Sequence, residues 1–294
     1  MIVMLVHQPI GAYHNQIAKA VRQLGEECMV ISCLNFDAKV IESFSPDRDI
    51  IFIRTGGHPV LDVAREFERR GFRTLNDSRY IAMSAQKFVA NMYARYNGVP
   101  IPELCVEVDK RQPGVLRRYL KRHGVLVAKP TYSRDMGRFV YRIKAETVEE
   151  DLRLVETIPG RRIILQSEIE FAKLVRTIVL GRKMLTDATT YDTKHPPEWK
   201  ATVCSNPNAK HYTDVPDKLV ELAEHTNIVF GGEVAYIDFF EKESGDYVLS
   251  EINHACALQH HEQITGVPIH RHIGRYLVDR HRELVPRSEV RAAA

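Results

Sequence analysis

Three oxygen-bearing side chains in the C-terminal half stand where charge is hard to keep. Asp238 lies inside the apolar run of residues 234–240, and Glu251 and Asn253 close a second apolar run that begins at Tyr247. The turn Glu243-Ser244-Gly245-Asp246 joins the runs, so the pair reads as a β-hairpin. Residues two apart leave a strand on one face, so Glu251 and Asn253 share a side and Asp238 can lie opposite them. Two carboxylates and an amide carbonyl make an all-oxygen cluster of the kind that holds Mg²⁺ beside substrate phosphates. Zinc takes Cys or His instead. The competing reading is a surface hairpin with ordinary charges. A carboxylate inside an apolar run is costly unless paired or metal-bound, and that favours the metal.

The elements that must carry this cluster begin with an alternating stretch. Residues 2–6, 28–33 and 50–53 read as strands, and 74–75 as a short one. Residues 15–24 and 60–70 have helical spacing, each closed by a glycine, Gly25 and Gly71. Such alternation argues for a small parallel α/β sheet. No G-x-G-x-x-G follows the first strand, so a dinucleotide site is not read there. Residues 78–96 read as one long helix carrying Lys87, and Val99-Pro100-Ile101-Pro102 as a linker. A basic unit follows, with a helix near 114–122, strands at 125–129, 138–143 and 163–166, and a helix near 148–156. The remainder is strand-rich: 174–180, 184–189 and the acidic hairpin, with helices at 217–226 and 269–278.

Bulk composition narrows the classes. The 294 residues are 44% hydrophobic and 27% charged, as in soluble globular proteins of two or three packed units. The opening apolar run stops at His7-Gln8-Pro9 and reads as a buried strand rather than a signal or membrane segment. Five cysteines, none in C-x-x-C spacing, fit a reduced cytoplasm. The net charge of +3 conceals a basic stretch: residues 110–144 hold eleven Lys or Arg against one acid, Asp135. Its apolar runs mark it as folded. A basic folded unit favours an anionic partner such as a polyphosphate or an acidic peptide. No aromatic platform or zinc-finger spacing accompanies it, so nucleic acid is not expected.

In this order the motifs resemble those of the ATP-grasp superfamily, and within it the RimK/LysX-like carboxylate–amine ligases. The resemblance covers nearly the whole chain. It runs through Asn76-Asp77-Ser78 before a helix with Lys87, Asn97-Gly98-Val99-Pro100, Val127-Ala128-Lys129-Pro130, Leu165-Gln166-Ser167-Glu168-Ile169, residues 175–181, Asp238 and Glu251-Ile252-Asn253-His254. It implies an α/β chain, α+β in its C-terminal part. A small parallel α/β domain (1–85) precedes a central lid domain (86–170) and a larger C-terminal domain with the metal site (171–294). By the same resemblance Asp238, Glu251 and Asn253 would hold Mg²⁺, as one or two ions or with Mn²⁺ substituting. Lys87 and Lys129 would contact ATP, and Arg176 would face the transferred phosphoryl group, making Arg176 and Lys129 the catalytic pair. The phosphate loop would include Ser133, Arg134, Gly137 and Arg138. Gln166, Ser167, Glu168 and Ile169 would read adenine through their backbone, and Lys200 would sit near the nucleotide. Two lysines, an arginine and Mg²⁺ are the positive charge that phosphoryl transfer uses.

The chain departs from the family pattern at the phosphate loop, where Gly137 is the one glycine; at the hinge, where Ser167 replaces an acid; and at Leu174, Lys200 and Thr202. The residues 254–261 also hold His254, Cys256, His260 and His261, a conceivable zinc cluster, although His254 reads better as a residue that orients the hairpin. Residues 191–208, with Trp199, read as a loop bordering the substrate. The resemblance implies ATP-dependent amide-bond formation between a carboxylate and an amine through an acyl phosphate, releasing ADP and phosphate. The substrates would be an amino acid and an acidic peptide or carrier protein, with no membrane partner and a homo-oligomer left open. The alternatives are an ATP-binding regulatory module without turnover and a peptide-modifying ligase that forms internal amide or ester links.

Overall fold

The computed structural model describes residues 1–6, 11–34, 36–55, 58–132, 139–194, 201–203 and 206–285. The first sheet contains β1 (Ile2–Val6), β2 (Cys28–Ser32), β3 (Ile50–Ile53) and β4 (Arg73–Leu75). All are parallel, in the order β2-β1-β3-β4. Their crossovers include α1 (Ala12–Gln23) and α2 (His58–Arg69). Every residue of β1 and β3 is buried, which is why these strands are continuous apolar runs rather than alternating ones.

Residues 78–96 form two helices rather than the single helix expected. They are α3 (Ser78–Ala85) and α4 (Lys87–Tyr96). Between them Gln86 is extended, with φ −104° and ψ 99°, and bridges Tyr132. The Lys87 N–H donates to the Thr131 carbonyl at 2.9 Å. A cross-chain backbone contact thus replaces a helical one and starts α4 at Lys87. The motif that opens α3 is structural. Asp77 caps it by accepting from the Tyr80 N–H at 2.7 Å. The buried Asn76 amide clamps residues 233–234 with three hydrogen bonds.

The second sheet is antiparallel, in the order β5-β8-β6-β7. Its strands are β5 (Cys105–Asp109), β6 (Val125–Pro130), β7 (Tyr141–Lys144) and β8 (Arg162–Ser167), interleaved with α5 (Pro113–His123) and α6 (Val148–Glu156). β5 falls in a stretch left unassigned from sequence. Several cations of the basic stretch are spent internally: Arg117 pairs with Glu149, Arg142 with Glu168 and Arg111 with Asp109.

The third sheet has the order β12-β11-β9-β13-β14, with β10 paired to β9. Its strands are β9 (Lys173–Leu180), β10 (Lys183–Met184), β11 (Thr190–Thr193), β12 (Lys210–His211), β13 (Val234–Glu241) and β14 (Tyr247–Asn253). The expected strand at 184–189 is instead β10 followed by a 3₁₀ turn, Thr186–Ala188. α7 (Asp217–Phe230) precedes β13, and α8 (Gln259–Thr265) and α9 (Ile269–Leu284) close the fold. One face of this sheet packs through Val175, Val179, Ile237 and Phe239 on a core shared with α4 and α7. The other packs through Ile178 and Tyr236 on a core shared with β1, α1 and α9. α9 lies close on α1: a Cβ placed on Gly274 would sit 2.8 Å from the Ala20 Cβ.

Candidate active site

The site is a row across the third sheet. Thr190 on β11 pairs with Arg176 on β9, Arg176 with Asp238 on β13, and Asp238 with Glu251 on β14. Residues paired across antiparallel strands project to the same face, so the four side chains stand in line. A register shift lies between Asp238 and Phe239, so Phe239 pairs with Leu249 while Asp238 pairs with Glu251. Without that bulge Leu249 and Glu251, two apart, would share a face. The bulge lets Leu249 enter the core beside Phe239 and turns Glu251 to the carboxylate side. Asn253 pairs with Tyr236, two register positions further along and on the same face.

Both carboxylates already face cations. Arg176 grips Asp238 in a fork, Nε to Oδ1 at 2.7 Å and Nη2 to Oδ2 at 2.5 Å. Both residues are buried. Burial pushes the Asp238 carboxyl up, and the Arg176 charge opposes that rise. Lys87, the first residue of α4, donates through Nζ to Glu251 Oε1. Lys129 enters from β6, is 8% exposed, and forms no ion pair with a described residue. Burial first, then the charge of Lys87, lowers the Lys129 ammonium to about 8, with Glu251 opposing.

Two carboxylates and an amide are hard oxygen donors, and each ionised carboxylate has lone pairs beyond those its cation uses. The donor set therefore fits Mg²⁺. A zinc cluster does not form: among the described residues no group of three or more His, Cys, Asp or Glu side chains converges. His254 has both ring nitrogens engaged, Nδ1 with Ser84 Oγ at 3.0 Å and Nε2 with the Thr55 carbonyl at 2.8 Å. Burial lowers it to about 4, so it is a neutral brace. His261, fully buried, meets the Thr190 hydroxyl through Nδ1 at 2.8 Å.

The side chains of residues 166–168 are engaged with neighbouring residues. The Gln166 amide donates to Asn91 Oδ1 at 3.1 Å and Cys105 Sγ at 3.4 Å, tying β8 to α4 and β5. Ser167 exchanges hydrogen bonds with Leu104. Glu168 accepts from Arg142 at 2.8 Å and 3.1 Å, and Ile169 packs near Phe171. Ser133, Arg134, Gly137, Arg138 and Lys200 lie outside the described residues, as do Trp199 and Cys204. Thr202 is described, and its N–H donates to Asp192 at 3.2 Å. Sequence reading did not place Thr190 in the row, nor Arg54 and Tyr236 in its surroundings. A strand-end Arg after an apolar run and a Tyr two residues before Asp238 were the available signals.

No family model matches the chain. A glutamate–LysW ligase, ArgX, from Sulfolobus acidocaldarius is 27% identical over 192 residues, a match spanning 63% of this chain and 66% of that protein. Among solved structures, the ATP-grasp ligase PsnB complexed with minimal precursor, Mg and ADP superposes with a TM-score of 0.72 at 15% identity, covering 95% of this chain and 97% of that one. A RimK domain ATP-grasp protein from Sphaerobacter thermophilus gives 0.69 at 16% identity, covering 94% and 99%. The fold is the ATP-grasp fold. Beyond the fold, the likeness is to ligases: the glutamate–LysW ligase in sequence, and PsnB and the RimK domain protein in structure.

Proposed function

We propose that the chain is an ATP-dependent ligase that joins an amino acid, through its amine, to a carboxylate of an acidic peptide or carrier protein. The observation that carries this reading is Lys129, a buried ammonium without an ion-pair partner among the described residues, set beside Lys87, Glu251 and the Arg176–Asp238 fork. A buried cation in that setting favours an anion, and a nucleotide phosphate is the anion this fold takes. The glutamate–LysW ligase, which by its name joins glutamate to LysW, supports the choice of substrates, as does the basic stretch at residues 110–144.

Mg·ATP, when bound, supplies the phosphoryl group and the metal charge that steadies its oxygens. Asp238, Glu251 and Asn253 hold the metal in this reading. Lys129 and Lys87 offset phosphate charge, and Arg176, held in place by Asp238, orients the group in transfer. A substrate carboxylate oxygen attacks the γ-phosphorus, the β–γ bridging P–O bond breaks, and ADP leaves. The amine then attacks the acyl carbon, the C–O bond to phosphate breaks, phosphate leaves, and the nitrogen gives up a proton. In this reading adenine is recognised by the backbone of residues 166–169, the side chains of 166–168 being engaged with Asn91, Cys105, Leu104 and Arg142. We also take 1–85, 86–170 and 171–294 as the domain boundaries.

The test is incubation with Mg·ATP, each amino acid and an acidic peptide, followed by mass spectrometry of peptide and nucleotide. ADP, phosphate and a peptide heavier by one amino acid less one water are expected. AMP and pyrophosphate would refute the acyl-phosphate route.

A further inference from the structure

Arg54 is buried at the carboxyl end of β3 and forms no ion pair with a described residue. Its Nη2 donates to the Cys256 carbonyl at 2.9 Å, and its guanidinium carbon lies 5.3 Å from the centre of the Tyr13 ring. Among the described residues its buried Nε has no hydrogen-bond partner, and neither has the buried hydroxyl of Tyr236. A guanidinium N–H can only donate, and a phenol has a proton to donate. Two such groups left over in a native interior ask for a shared acceptor. The two lie in one electrostatic neighbourhood, for the charge of Arg54 opposes the burial-driven rise of the Tyr236 phenol.

The position has an independent meaning. In the order β2-β1-β3-β4 the chain reverses direction across the sheet between β1 and β3. Arg54 sits at that point, its N–H donating to the Leu5 carbonyl at 2.9 Å. Parallel α/β sheets bind ligands in the crevice outside the carboxyl ends of their strands at such a switch point. On the third sheet, Tyr236 pairs with Asn253, two register positions from the Asp238–Glu251 pair, a separation of about 6–7 Å along the strand.

We propose that Arg54 and Tyr236 form a subsite for the α-carboxylate that an amino-acid substrate retains when it is joined through its amine. Arg176 and Lys87 are matched by Asp238 and Glu251, whereas Arg54 is matched by the ligand. The alternative is a structural tie, with Arg54 fastening the Cys256 segment to the N-terminal sheet. The proposal takes its substrate class from the ligase reading, but it is a statement about binding and is tested as one.

The experiment uses the full chain saturated with Mg·ADP. Each of the twenty L-amino acids is screened by thermal shift, and the best is titrated calorimetrically as the free acid and as its α-carboxamide. The wild type is expected to prefer the acid by about tenfold to a hundredfold, as for a charge-assisted hydrogen bond. Arg54→Gln should bind the acid as weakly as the carboxamide while Mg·ADP affinity stays unchanged. Tyr236→Phe should lose part of the preference. Arg54→Met should melt no lower than the wild type, since it removes an unmatched buried charge. Retained acid preference in Arg54→Gln, no amino acid bound by the wild type, or a marked fall in melting temperature of Arg54→Met with loss of both ligands would each overturn the subsite. Acid preference without ADP formation would leave the subsite standing and sink the ligase reading.

Discussion

Replacing Lys129 by Met should make the protein more stable and less able to bind Mg·ATP. Lys129 is enclosed in β6, and burial with the neighbouring Lys87 brings its ammonium from 10.5 down to about 8. Between those two values the unfolded chain holds a proton on this lysine that the folded chain has released. Stability therefore rises with pH across that window, and below about 8 the folded state bears the full cost of the charge. The drop corresponds to about 3 kcal/mol at most. Met keeps most of the aliphatic volume without the charge, so Lys129→Met should gain on the order of 1–3 kcal/mol at pH 7. The gain should shrink as pH rises through 8 toward 10.5. Urea unfolding of both proteins at pH 7 and pH 10 measures the difference, and groups titrating alike in both cancel. The same substitution should weaken Mg·ATP by about tenfold to a hundredfold, the worth of a charge-assisted contact to phosphate. A mutant less stable at pH 7, or a gain that ignores pH, would refute the reasoning, because either would mean that the lysine is already matched inside the fold.

Asp238→Asn should destabilise by about 3–5 kcal/mol, since it removes the carboxylate charge that the buried Arg176 grips. The double substitution Arg176→Met with Asp238→Leu should recover most of that in urea unfolding, while all three proteins lack turnover. Gly274→Ala should cost about 1–3 kcal/mol through overpacking against Ala20. Pairing it with Ala20→Gly should restore the melting temperature. Arg134→Ala and Arg138→Ala should each lower Mg·ATP affinity about tenfold to a hundredfold. Added Mg·ATP should slow proteolysis of residues 132–138 in the parent, and unchanged affinity with unchanged cleavage would mean that the segment does not close over phosphate.

The sequence by itself determined most of the elements and the residue types available for chemistry. Continuous apolar runs at β1 and β3 specify a doubly covered parallel sheet, because no exposed face would tolerate them. An acid inside each strand of the 234–253 hairpin specified that two carboxylates would lie on neighbouring strands, because a Gly turn pairs the two runs. Tertiary structure decided what those charges meet. The bulge beside Asp238 sets which neighbour of Glu251 enters the core, and no local pattern announces it. The break at Gln86 comes from a contact with Tyr132, 46 positions away (132 minus 86), so helical periodicity through 78–96 could not reveal it. The partners of Arg176, Lys87 and Lys129, and the unmatched Arg54, follow from three sheets converging, because burial and charge pairing are properties of the neighbours that folding supplies and not of the residues alone.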